Sequence, residues 1–149
     1  MLMATKSVLQ AAFFQEPAGS FTLGKVLMSS PHAMNFDQYA GDGEVGYWQC
    51  DLTDHDALTW SDTVYDIFGL PHGSTVSRDD AVARYRDHSR GVLERLRSYA
   101  IKRRRGFLLD AALNLDGATR WIRILAAPVV EHDRVIGLSG LKRILEPRL

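Results

Sequence analysis

The sequence predicts an α+β domain, a five-stranded antiparallel sheet with short helices on one face. Three observations carry this. Strand-like runs open and close the stretch from residue 44 onward, the segment between them has helical spacing, and an Asp-Gly pair joins two of the closing runs. At 149 residues the chain is sized for one domain with a real core. The division expected is a flank over residues 1–43 and the domain over residues 44–149.

The flank is punctuated by Pro17, Gly19, Ser20, Ser29-Ser30-Pro31 and a turn at 41–43. A short helix is expected across residues 4–15, with Val8, Leu9, Ala12 and Phe13 on one stripe. GYWQCDL (46–52) and ALTWS (57–61) then read as strands around the polar turn Thr53–Asp56. Ser61 suits an N-cap, Val64, Tyr65 and Phe68 form a helical stripe, and Gly69 and Pro71 end it. Ser77 with Asp80 is a capping-box variant. From Asp87 to Ile101, Val92, Leu93, Leu96, Tyr99 and Ala100 recur at helical spacing, which marks the main helix. FLLDAALN (107–114) and ATRWIRILAAPVVE (118–131) flank Asp116-Gly117, a hairpin signal, and His132-Asp133 turns into RVIGLSGLKRIL (134–145).

Charge and cysteine content narrow the function. Eighteen bases balance eighteen acids, but unevenly. Residues 1–60 hold two bases against seven acids, and residues 78–105 hold ten bases against four acids. Such separation lets two parts of a chain, or two copies, attract one another. The single Cys50 excludes an internal disulfide and any multi-cysteine metal site. No secretory signal is visible, nor a run of about 20 apolar residues. A cytoplasmic protein without membrane contact is expected.

The chemistry-bearing motifs are few. Gly41-Asp42-Gly43-Glu44-Val45-Gly46 matches G-x-G-x-x-G, but it precedes a strand and carries two acids, so a turn is expected rather than a phosphate site. The five histidines show no ligand spacing, and no metal is expected. No nucleophile–base set emerges, and no enzyme is expected. Lys102 to Arg105 form a basic helix end whose expected partner is an acidic protein surface; without interleaved aromatics, nucleic acid is not expected. Apolar residues stand at both parities of the last two strands, so something should cover the outer face.

The segments GYWQCDL, LTWSDTVYDIFGL and LDGATRWIRILAAPVVEHDRVIGLSGL together resemble a PAS domain of the subgroup with a DG-x-x-RW hairpin. Asp116, Gly117, Arg120, Trp121, Pro128 and Gly140 carry the likeness, which spans residues 44–145. Tyr85-Arg86-Asp87-His88, Ala112 and Arg143-Ile144-Leu145 depart from it. The resemblance implies a sensory and protein-interaction module of bacterial signalling. With no effector after residue 145, it would stand alone and act in trans on a protein such as a sensor histidine kinase. A homodimer is implied, formed through the outer face and the flank. The alternative is a sensor of a small apolar or aromatic ligand. Candidate pocket residues, by that analogy, are Tyr65, Phe68, Tyr99, Leu109 and Ile122. Candidate partner-surface residues are Trp121, Ile124, Leu138, Arg103, Arg104 and Arg105. No cofactor is required; haem, for which His88 is the nearest ligand, and flavin, which lacks its Asn-Cys-Arg motif here, are not expected.

Overall fold

The computed structural model describes residues 24–26 and 44–145. The proposed helix over 4–15 lies outside them. Strand β1 is Gly24–Val26, β2 Gly46–Asp51, β3 Ala57–Trp60, β4 Phe107–Leu115, β5 Ala118–Glu131 and β6 Arg134–Ile144. Helices α1 (Asp62–Phe68), α2 (Arg78–Val82) and α3 (Asp87–Arg103) lie between β3 and β4. The sheet runs β1-β4-β5-β6-β2-β3, with every pair antiparallel. The five expected strands are all present. The flank adds a three-residue edge strand, β1, whose Lys25 lies opposite Leu108.

Local chemistry explains the joints. Asp116 and Gly117 take positive φ values of 52° and 94°, matching the primed turn that suits right-twisted strands. His132 and Asp133 make the β5–β6 turn at φ 51° and 65° without a glycine. The Ser77 hydroxyl accepts from the Asp80 amide at 3.0 Å, the expected cap of α2. Ser61 stands at the N-cap of α1, but its hydroxyl accepts from the Tyr47 amide at 2.9 Å and ties the helix start to β2. Gly46 is where α1 crosses β2. A Cβ there would lie 2.6 Å from Val64 Cγ2, so only glycine permits the approach.

One face of the sheet is closed by the helices. Val64, Ile67 and Phe68 of α1 and Val92, Leu96 and Ala100 of α3 pack on Phe107, Leu109, Ala111, Leu113, Ile122, Ile124, Ala126 and Leu138. Period-two alternation then fixes the other face. There Leu108, Leu125, Leu141 and Tyr47 stand in register across four strands. Beside them Arg123 forks onto Asp110 at 2.7 and 2.9 Å. Tyr47, Trp121 and Val129 are exposed on this face.

This geometry corrects two surface assignments. Ile124 and Leu138 are 1% and 3% exposed and belong to the core. Ile124 is two residues from Ile122, and two residues along a strand return to the same face. The outer face presents Trp121 and Arg123 instead, while Leu125 shares their parity but is buried.

Candidate functional site

The segment before α3 is pinned to the sheet edge. The Arg86 amide donates to Ala112 O at 2.9 Å, and the Asn114 amide donates to Arg84 O at 2.8 Å. The intervening Tyr85 therefore pairs with Leu113 as an isolated bridge, and its ring turns inward, 3% exposed. Ser89, one turn into α3, accepts from the Ala112 amide at 2.8 Å and closes the junction.

Tyr85 forms one wall of a cavity of about 60 Å³ between the sheet and the helices. Trp48 and Cys50 of β2, Leu58 and Trp60 of β3, and Phe107, Ile124 and Leu138 line the sheet side. Arg78, Ala81 and Val82 of α2 and Leu93 and Arg97 of α3 close it. Lys142 of β6 completes the lining, 8% exposed.

Lys142 is the unusual member. Its Nζ lies 4.9 Å from the Phe68 ring centre, 5.1 Å from Trp48, 5.9 Å from Trp60 and 6.0 Å from Tyr85. The cage itself is braced. Trp60 stacks on Phe68 at 4.7 Å, Phe68 meets Tyr85 edge-on at 5.9 Å, and the Trp48 indole donates to Leu141 O at 3.2 Å. Burial pushes the Lys142 ammonium down to about 7, and the nearby Cys50 acts in the opposite direction. Burial likewise raises the Tyr85 phenol and the Cys50 thiol. Among the described residues no carboxylate lines the cavity. The nearby acids are already engaged, Asp56 with Arg97 at 3.0 Å and Glu94 with Arg78. The Arg97–Asp56 pair also joins the basic helix to the acidic first segment, so part of the charge asymmetry is satisfied within the chain.

The sequence-derived pocket residues fall around this cavity rather than in it. Phe68 touches the site through Lys142; Leu109 and Ile122 are core residues that do not line the cavity. Tyr65 is half-buried and donates to Ser74 O at 3.0 Å. Tyr99 is 38% exposed, with the Arg103 guanidinium 5.9 Å from its ring centre. It lies one turn from the end of α3, beyond the cavity. Arg104 caps that helix in the left-handed conformation and pairs with Asp133 at 3.2 Å, while Arg103 is exposed and Arg105 half-buried. His88 is exposed on the first turn of α3. Among the described residues no group of three metal-ligating side chains converges, and no helix is long and apolar enough to cross a membrane.

The Asp-Gly hairpin also has a structural role. Arg120 reaches from it to donate to Ile67 O at 2.8 Å and Asp66 O at 3.2 Å, which satisfies carbonyls at the end of α1. Trp121, next along, points to the outer face at 42% exposure.

Solved structures share this architecture. The N-terminal domain of a diguanylate cyclase with a PAS/PAC sensor, from Marinobacter aquaeolei, superposes with a TM-score of 0.61 at 19% identity, over 68% of this chain and 94% of that one. This is the PAS fold. A domain of a histidine kinase described as light and redox sensing, from Haloarcula marismortui, gives a TM-score of 0.61 at 12% identity, over 74% of this chain and 97% of that one. An RNA-binding light-oxygen-voltage receptor gives 0.59 at 16% identity over 68% of this chain, which spans 29% of the receptor's length. No protein-family profile matches the sequence. No curated protein matches it either. In this chain the PAS helices and sheet enclose a lysine in an aromatic cage.

Proposed function

We propose that the chain is a sensory PAS module whose input is a small ligand taken up in the cavity beside Lys142. The observation that carries this reading is a cavity lined by a caged lysine, a buried phenol and two arginines, with no carboxylate among the described lining residues. Such an arrangement costs folding free energy and does nothing for packing that leucines would not do better. Strand β6 supplies a route outward. Lys142 faces the cavity, and its neighbours Leu141 and Arg143 face the opposite side of the sheet. A ligand that alters how Lys142 sits changes the strand that displays them. Native mass spectrometry and absorbance spectra of the purified protein test the reading; a non-covalent adduct lost on filling the cavity with Leu138→Trp supports it.

A second reading concerns output. Tyr47 is 58% exposed, Trp121 42% and Val129 41%, all on the outer face, and a shallow groove of about 380 Å³ runs over Tyr47, Gln49, Thr59 and Ser139. These features favour that face as the contact with a second copy or with a signalling protein such as a sensor histidine kinase. Arg103 and Arg104, at the end of α3, would add charge to such a contact. Affinity capture with Trp121→Ala and Tyr47→Ala, compared with the wild type, tests this. Unchanged partners would remove the outer face from the proposal.

A further inference from the structure

We propose that the ligand of this cavity is a short-chain carboxylate, whose anionic head is the counter-ion that Lys142 lacks; this rests on reading the cavity as a ligand site.

The lining decides the sign of the charge. Among the described residues Lys142, Arg78 and Arg97 contribute three bases to the lining and no acid does, while Asp56 and Glu94 are occupied by the two arginines. Among the described residues Lys142 makes no ion pair. Two further donors are buried without a partner, the Tyr85 hydroxyl and Arg97 Nε. A buried donor without an acceptor is costly, and a buried unpaired ammonium more so. A carboxylate has two oxygens and accepts at both. It can take one bond from Lys142 and one from Tyr85, whose ring centre is 6.0 Å from Nζ. A neutral ligand would leave the ammonium as it is.

Volume decides the size. The cavity of about 60 Å³ is several times the ~10–15 Å³ that one water needs, and well below the 150 Å³ that holds benzene. A carboxylate with one to three carbons beyond it fills this space. Its alkyl part meets Trp48, Trp60 and Leu138.

Binding should depend on pH through one group. Facing Lys142 are the Cys50 thiol on β2, the Tyr85 phenol ahead of α3, Arg97 on α3 and Arg78 on α2. Burial raises the thiol and the phenol, and the arginines stay charged. The ammonium is therefore the group that changes between pH 6 and 9.

The test uses the full chain with propionate and its neutral isostere propionamide, followed by the amide resonances of Trp48, Tyr85 and Lys142. Propionate is expected to bind about tenfold more tightly than propionamide at pH 6, and to lose about tenfold or more by pH 9 while propionamide does not change. Lys142→Met should lose about tenfold in propionate affinity, and Tyr85→Phe about threefold. The pH series on the unaltered chain decides the matter even if a variant fails to fold. Propionamide binding as tightly as propionate, or a flat pH series, overturns the carboxylate while the cavity remains a ligand site. Shifts from neither probe overturn both.

Discussion

Replacing Lys142 by methionine should make the domain more stable at neutral pH. The ammonium is 8% exposed and held down to about 7, against about 10.4 for an ordinary lysine. Across that interval the unfolded chain binds more protons than the folded one, so stability rises with pH there and levels off below it. Between pH 7 and 9 the linkage amounts to about 2 kcal/mol. The four rings around Nζ act the other way, since each aromatic face favours a cation by about 0.5–2 kcal/mol. The linkage figure is therefore an upper bound. Methionine keeps the length and removes the charge, so Lys142→Met should gain about 1–3 kcal/mol at pH 7 and show no rise toward pH 9. Urea unfolding of both proteins at the two pH values measures this. The buried Cys50 thiol, also raised, lowers stability near pH 9 in both proteins. A variant less stable at pH 7, or one with the wild-type pH slope, would refute the reasoning.

Three further outcomes follow from contacts elsewhere in the fold. Gly46→Ala should cost about 1–3 kcal/mol in urea unfolding, because the new methyl meets Val64 Cγ2 at 2.6 Å and the Val64 amide nitrogen at 2.9 Å. Arg120→Ala should cost about 1–2 kcal/mol by the same measurement, since it strips the Ile67 and Asp66 carbonyls of a charged donor. His72 Nε2 lies 2.7 Å from Asp66 Oδ1, and this contact raises the imidazole above its usual 6.5. The pair favours the folded state below that value and ceases to as pH rises through the folded one. An NMR titration of His72 should therefore show its inflection above 6.5, and Asp66→Asn should lower it.

The fold was legible because its signals are local. Asp116-Gly117 can make a two-residue hairpin with little strain, and the alternation on either side sets the register. Ser77 and Gly69 mark helix ends through their own backbones, wherever the helices go. The β1 strand was not legible in the same way. Gly24-Lys25-Val26 is three residues long and gains its strand character from β4, through the pairing of Lys25 with Leu108. Its sequence alone carries no such partner.

The site was less legible, and the reason is parity. In a two-sided apolar strand, composition does not say which face is inward; one anchored residue does. Ile122, Ile124 and Ala126 of β5 share a face, and the β5–β6 register places Ile144, Lys142 and Gly140 opposite them. That chain of pairings puts Lys142 inside and Trp121 outside. It also shows why Ile122 and Ile124 could not serve as pocket and partner surface at once. Tyr85 needed a different signal, since it belongs to neither strand nor helix and is turned inward by Arg84 and Arg86 bonding to β4 on either side. A lysine and a tyrosine 57 residues apart meet only through this long-range pairing. The charge that distinguishes the cavity is therefore a property of the register, and a one-residue slip of β6 would carry Lys142 to the solvent face.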